Sequence, residues 1–217
     1  MRAFLLSTLL TAVLLLTGAA PVGADDRSVP PPPYAGTFLV GDSTLYRVAP
    51  ELRKLEPDWY IDHQRGRAVN ALERRMAAYL EVNPTPANFV MALGTNRCHF
   101  PEWSYARLRR AIALLPEETN VFLVMVVRAG SYQRWKDVTL RLYNRYSRNL
   151  ARFRPHTYVI DWRQTVLSDP TLDPVTGESS LLLDGTHQTG STHGEEPGPG
   201  VDTYIDLIVS KWEQVNR

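Results

Sequence analysis

The sequence predicts an α/β fold of three αβα layers, in which a doubly wound sheet of about five parallel strands lies between two layers of helices. Two observations support this prediction. Short apolar runs alternate with amphipathic helical stretches throughout residues 37–212. Two of the runs, at residues 89–93 and 121–127, are apolar without interruption, which is typical of strands buried on both faces of a parallel sheet.

The alternation predicts five strands and five helices. The strands are Thr37–Val40, Trp59–His63, Asn88–Leu93, Asn120–Val127 and Thr157–Asp161. The helices are Leu45–Leu55, Val69–Leu80, Tyr105–Leu114, Trp135–Phe153 and Val201–Trp212. The fourth helix has an apolar residue at every fourth position from Val138 to Leu150, which predicts one buried face. Two long connections, 168–183 and 188–200, interrupt the alternation, and loops of this length in compact domains are usually functional or mobile.

The first 36 residues are predicted to precede the domain. Residues 1–24 have the order of a cleavable secretory signal, with Arg2, an apolar run and small residues that end at Ala24. That run is too short for a comfortable membrane span. Residues 25–36 contain four consecutive prolines and are predicted to form an extended linker. We therefore expect a secreted or extracytoplasmic protein in which residues 37–217 form one domain.

The composition argues against several classes of function. The formal net charge is +1, and removal of Arg2 with the signal leaves no global basic field for nucleic acid. We expect no stable membrane insertion, and we expect a monomer. The single cysteine, Cys98, excludes an internal disulfide. Metal-ligand clusters at recognised spacings do not occur in the sequence, so we expect no metal and no cofactor.

Residues suited to catalysis follow three of the predicted strands. Ser43 ends a Gly-Asp-Ser block after the first strand, Gly66 follows the second, and Asn96 ends a Gly-Thr-Asn block after the third. Asp184 and His187 lie three residues apart in a late loop. Because the carboxyl ends of parallel strands meet at one edge of a sheet, we expect these five residues to converge.

These motifs resemble the signature of the SGNH hydrolases, also called GDSL-type esterases. The family's serine, glycine, asparagine and histidine positions occur in family order as Ser43, Gly66, Asn96 and His187. The resemblance spans residues 37–212 and implies a flavodoxin-like SGNH hydrolase fold. Three segments are similar in detail to the SGNH domains of secreted peptidoglycan O-acetyltransferases: Gly-Arg at 66–67, Ala-Leu-Gly-Thr-Asn at 92–96 and Val-Ile-Asp-Trp at 159–162.

The residues predict a serine nucleophile and its base. His187 would take the proton of Ser43, Asp184 would orient the imidazole, and an acyl-enzyme would form. The backbone N–H groups of Ser43 and Gly66, with the Asn96 side-chain amide, would bind the oxyanion.

Several alternatives remain open from the residues alone. The Gly-Asp-Ser block at 41–43 would also suit a plain turn with a helix cap. His193 competes with His187 as base but has no aspartate three residues before it. Cys98 with His99 is an alternative nucleophile pair, although adjacent side chains usually point apart. In the family the last helix begins soon after the histidine. The 188–200 stretch is therefore either a flap or a loop that leaves His187 poorly held.

Arginines accompany the catalytic motifs. Arg47, Arg65, Arg67 and Arg97 are predicted substrate-binding residues, and Arg128 lies at the end of the fourth strand. They would form a cationic rim for an acylated small molecule or glycan that carries carboxylate or phosphate. The alternative is scattered, solvated arginine.

The sequence therefore predicts a secreted serine esterase that acts on O-acetyl or short acyl esters of cell-wall glycan. Three alternatives share the fold: an O-acetyltransferase on the same substrates, a lipolytic or general carboxylesterase, and a non-catalytic glycan-binding domain.

Overall fold

Five parallel strands form one sheet in the order β2-β1-β3-β4-β5. A computed structural model describes residues 36–96, 100–190 and 198–217. The strands are β1 (Thr37–Gly41), β2 (Tyr60–His63), β3 (Asn88–Ala92), β4 (Asn120–Val124) and β5 (Thr157–Ile160). The helices are α1 (Ser43–Leu55), α2 (Leu72–Val82), α3 (Pro101–Ile112), α4 (Arg134–Phe153), α5 (Trp162–Leu167) and α6 (Pro199–Asn216). Two short 3₁₀ helices lie at Val69–Ala71 and Ser131–Gln133.

Helices cover both faces of the sheet. Successive side chains of a strand point to opposite faces, so each strand packs apolar residues against both layers of helices. Leu39 of β1 packs with buried residues of α1, α5 and α6. Its neighbours Phe38 and Val40 pack on the other face, with buried residues of α2, α3 and α4. All five residues of β1 and of β3 are buried. The predicted three-layer α/β fold with five parallel strands is confirmed.

The predicted elements differ from the structure in two informative places. The fourth apolar run continues to Val127, but β4 ends at Val124. Residues 125–127 stay buried, and at Val126 the Asn144 side chain takes the place of a neighbouring strand. It accepts the N–H of Val126 at 3.0 Å and donates to its carbonyl at 2.7 Å. Helix α5 was not predicted, because its six residues are too few to show a helical period.

The strand order creates a crevice beside β1. The chain passes from β1 through α1 to β2 on one side, and β3 lies on the other side of β1. In such sheets ligands bind outside the carboxyl ends of the strands, at the point where the connections diverge. Ser43 follows β1 and Asn96 follows β3, so both residues lie at this crevice.

The predicted signal and nearly all of the predicted linker lie outside the described residues. Among the helices of residues 36–96, 100–190 and 198–217, none is long and apolar enough to cross a membrane.

Candidate active site

Ser43, His187 and Asp184 form a continuous chain of hydrogen bonds. Ser43 is the first residue of α1 and is half-buried. Its Oγ lies 2.9 Å from Nε2 of His187, and Nδ1 of His187 lies 2.7 Å from Oδ2 of Asp184. When Nδ1 carries the proton and donates it to Asp184, Nε2 has a free lone pair directed at the serine hydroxyl. The arrangement is that of a nucleophile, a base and a group that orients the base.

A tight loop holds the aspartate and the histidine together. The second carboxylate oxygen of Asp184 accepts the backbone N–H groups of Thr186 at 3.0 Å and His187 at 2.8 Å. Burial alone would raise the pKa of Asp184, but the hydrogen bonds from His187 and Thr186 lower it to about 2. The Asp184 carboxylate is therefore charged at any ordinary pH and holds the imidazole in one orientation.

The segment after His187 is anchored at both ends. The N–H of Leu183 donates to the carbonyl of His187 at 2.8 Å. Thr189 accepts the N–H of Gly200 on Oγ1 at 2.9 Å and the N–H of Val201 on its carbonyl at 3.0 Å. These hydrogen bonds tie His187 to Leu183, and Thr189 to the start of α6. Residues 191–197, including the competing base His193, lie outside the described residues.

Asp42 has a structural role. It is fully buried and forms the N-cap of α1, where its carboxylate accepts the N–H of Thr44 at 3.0 Å and the Thr44 hydroxyl at 2.9 Å. It also accepts the N–H of Thr95 at 3.3 Å and the Thr95 hydroxyl. One carboxylate oxygen therefore holds the start of α1, where Ser43 begins the helix, and the other holds Thr95 after β3.

The three groups that the sequence predicts to bind an oxyanion follow the ends of β1, β2 and β3. The N–H of Ser43 belongs to the first turn of α1, where N–H groups have no acceptor within the helix. Gly66 has φ of +70° in a turn closed by the N–H of Arg67 and the carbonyl of Gln64, a conformation that favours glycine. Asn96 is half-buried and donates one amide hydrogen to Oγ1 of Thr95 at 3.4 Å. An asparagine amide has a second hydrogen, and none of the residues that the structure describes accepts it.

The structure corrects the prediction for Arg67. Its side chain is 1% exposed and its guanidinium lies 2.7 Å from the carboxylate of Asp62. Arg75 contacts the other Asp62 oxygen at 2.6 Å. Arg67 therefore supports the turn of Gly66 from inside the protein and does not form part of an exposed rim. Its position next to a site motif suggested substrate contact, but its burial and its ion pair with Asp62 are apparent only in the folded chain.

The other predicted rim arginines have different environments. Arg47 is half-buried and donates to the carbonyl of Gly190, so it holds the segment after His187. Arg65 is exposed, with its guanidinium 4.4 Å from the ring centroid of Tyr46, and it remains a candidate for substrate contact. Arg97, Cys98 and His99 lie outside the described residues. Among the described residues, no cluster of three or more His, Cys, Asp or Glu side chains is placed to hold a metal.

Sequence reasoning missed the role of the segment that follows β4. Ala129 donates its N–H to the carbonyl of Gly185 at 2.7 Å, so the segment supports the loop of Asp184 and His187. The hydroxyl of Tyr132 donates to the carbonyl of Asp184 at 2.9 Å. Gly130 lies against the backbone of Thr176, and a Cβ there would approach that backbone to 2.7 Å. No sequence signal links residues 129–132 to a loop more than fifty positions away.

The similarity of this chain to known proteins lies in its structure. No protein-family model matches the sequence, and no curated protein matches it significantly. Solved structures match over most of the chain. The C-terminal catalytic domain of peptidoglycan O-acetyltransferase A from Streptococcus pneumoniae is 20% identical, with a TM-score of 0.68, covering 85% of this chain and 96% of that one.

Two further structures of the same kind are similar. A lipolytic protein of the G-D-S-L family from Veillonella parvula is 14% identical, with a TM-score of 0.60, covering 81% of this chain and 98% of that one. A carbohydrate esterase of family 3 from Talaromyces cellulolyticus is 16% identical, with a TM-score of 0.54, covering 83% of this chain and 97% of that one. This chain has the three-layer α/β fold of the SGNH/GDSL lipolytic proteins.

Proposed function

We propose that this protein is a secreted serine esterase of the SGNH type that acts on O-acetyl or short acyl esters, with acetylated cell-wall glycan as its substrate. The observation that carries the proposal is the hydrogen-bonded chain of Ser43, His187 and Asp184 at the crevice beside β1. The structural similarity to ester-acting proteins supports it.

The geometry supports a two-step acyl transfer. Ser43 Oγ attacks the ester carbonyl as its proton passes to Nε2 of His187, and Asp184 stabilises the resulting imidazolium. The carbonyl oxygen becomes an oxyanion between the N–H groups of Ser43 and Gly66 and the amide of Asn96. Collapse of this intermediate breaks the bond to the alcohol, which leaves with the proton from His187. His187 then activates an acceptor that releases the acyl group from Ser43.

The acceptor distinguishes the two closest candidate functions. Water gives an esterase, whereas a sugar hydroxyl gives an O-acetyltransferase. The similarity to the catalytic domain of a peptidoglycan O-acetyltransferase supports the second candidate. The similarity to a carbohydrate esterase supports hydrolysis of glycan esters. Both candidates use the same acyl-enzyme.

Hydrolysis of an aryl acetate tests the proposal. Wild type should hydrolyse the acetate, and Ser43→Ala or His187→Ala should lower turnover by up to about 10⁶-fold. Ser210→Ala, on the exposed side of α6, is the matched control and should keep full activity. Hydrolysis that survives in both site variants would contradict the mechanism.

Two further measurements identify the substrate and the acceptor. Rates on aryl esters of two to eight acyl carbons should be highest for acetate, and a maximum at long chains would indicate a lipolytic enzyme instead. Mass spectrometry of an unacetylated glycan incubated with enzyme and aryl acetate should show no gain of acetyl groups for an esterase. Glycan binding without any Ser43-dependent turnover would indicate a non-catalytic domain.

A further inference from the structure

Both backbone polar groups of Thr95, the N–H and the carbonyl, form hydrogen bonds to charged side chains. Its N–H and its hydroxyl donate to the buried carboxylate of Asp42. Its carbonyl accepts two hydrogen bonds from one guanidinium, from Nε of Arg128 at 3.0 Å and from Nη2 at 2.8 Å. Thr95 itself is buried. Thr95, the residue before Asn96, is therefore fixed by a carboxylate from the end of β1 and a guanidinium from the segment after β4.

These contacts determine the position of Asn96. The carbonyl of Thr95 and the N–H of Asn96 belong to one peptide plane, so the two bonds from Arg128 fix the orientation of that plane. The hydroxyl of Thr95 also accepts one amide hydrogen of Asn96 at 3.4 Å. The backbone and the side chain of Asn96 are thus both held through Thr95.

We propose that Arg128 is a positioning residue for the Asn96 oxyanion donor. It acts through the Thr95 carbonyl, and the inference rests on the proposed esterase or acyltransferase function. The planar guanidinium suits this task because it directs two donors in a fixed geometry, which the point charge of a lysine cannot do.

The surroundings of Arg128 favour a positioning role over direct contact with substrate. The guanidinium is half-buried. Burial lowers the pKa of Arg128, and the nearby carboxylates of Asp42 and Asp184 oppose that shift. The next residue, Ala129, donates its N–H to Gly185 in the loop of Asp184 and His187 at 2.7 Å. One short segment therefore supports the oxyanion side of the site through Arg128 and the base side through Ala129.

A double-mutant cycle with Asn96 tests this role. Arg128→Gln should lower kcat on an aryl acetate by about 10–100-fold, less than complete loss of an oxyanion donor, with KM nearly unchanged. Arg128→Lys should recover only part of kcat. In an Asn96→Ala background, Arg128→Gln should change kcat less than about twofold, because residues that act through one another are not additive. Arg152→Gln, an exposed arginine on α4, is the control and should leave kcat unchanged.

Two outcomes would overturn the proposal. One is an equal fall in kcat from Arg128→Gln with Asn96 present and with Asn96 absent. The other is a rise in KM at constant kcat, which would make Arg128 a substrate contact.

Amide hydrogen exchange tests the positioning role of Arg128 independently of the proposed esterase function. If wild type shows no Ser43-dependent hydrolysis, the function is wrong, and exchange of the Thr95 amide then decides the inference. If that amide exchanges faster in Arg128→Gln than in Arg152→Gln, at equal global stability, the result supports the proposal that Arg128 holds Thr95 in place. Equal exchange in the two variants rejects it.

Discussion

The carboxylate of Asp42 accepts the backbone N–H of Thr95 at 3.3 Å, which joins the end of β1 to the end of β3. Ser43 follows Asp42 directly and Asn96 follows Thr95 directly. The contact therefore sets the separation between the proposed nucleophile and one proposed oxyanion donor, although neither Asp42 nor Thr95 would touch the substrate.

This relationship predicts a large effect for Asp42→Ala on stability. The substitution removes the cap of α1 and leaves the buried donors of Thr44 and Thr95 without an acceptor, so the free energy of unfolding should fall by about 3 kcal/mol or more. Urea unfolding measures it. The control is Asp161→Ala, the partly exposed N-cap of α5, which should lower stability by about 1 kcal/mol. Equal losses in the two variants would contradict the special role of Asp42.

Arg65 and Arg67 flank Gly66 and provide a second test, because Arg65 is exposed whereas Arg67 is buried. Arg67→Ala leaves the buried Asp62 with one of its two arginines and should lower the free energy of unfolding by about 3 kcal/mol. Arg65→Ala, at an exposed site, should change it by less than about 0.5 kcal/mol. Denaturant unfolding compares the two variants. If Arg67→Ala were as stable as wild type and raised KM selectively for anionic glycans, the original rim prediction would be correct.

Gly66→Ala should impair both stability and turnover. The positive φ of Gly66 disfavours any L side chain by about 1–2 kcal/mol, although a Cβ there would meet no atom within 4 Å. Relaxation of this strain would move the N–H that is proposed to bind the oxyanion. We therefore expect kcat to fall by up to about 10²–10³. Gly36→Ala is the control, since a Cβ there also meets open space and the backbone has no positive φ. A Gly66→Ala variant with wild-type kcat would exclude that N–H from the reaction.

Asp184→Asn should reduce turnover and alter the pH dependence of stability. Loss of the charged orienter of His187 should lower kcat by about 10²–10⁴. The pKa of Asp184 is lowered in the folded protein to about 2, so its carboxylate stabilises the fold above pH 4, and that contribution disappears as the pH falls towards 2.

Urea unfolding of wild type and Asp184→Asn at several pH values measures this difference. The stability gap should be constant between about pH 5 and pH 7, should narrow below about pH 4 and should nearly close as the pH falls to about 2. A gap that persists at pH 2 would show that the asparagine disturbs the loop by some means other than loss of charge.

Local patterns in the sequence were sufficient to predict the architecture and to predict that Ser43, Asp184 and His187 meet. Strand runs and helical spacing depend on neighbouring residues, so all five strands and five of the six helices were predicted. Ser43 and Asn96 were placed correctly at one edge of the sheet because parallel strands bring their carboxyl ends together. The pairing of Asp184 with His187 follows from a three-residue spacing that one tight loop can close.

Burial and the contacts between segments were decided by the tertiary structure alone. Arg67 and Arg65 are two residues apart and chemically identical, yet one is buried and paired with Asp62, which Arg75 also contacts, whereas the other is exposed over Tyr46. Nothing in the sequence pairs Thr95 with Arg128 or Ala129 with Gly185. The sequence by itself determined the fold class and the residue types suited to acyl transfer. Only the tertiary packing determined which polar side chains are buried and therefore need hydrogen-bond or ion-pair partners within the protein, because burial depends on the whole chain.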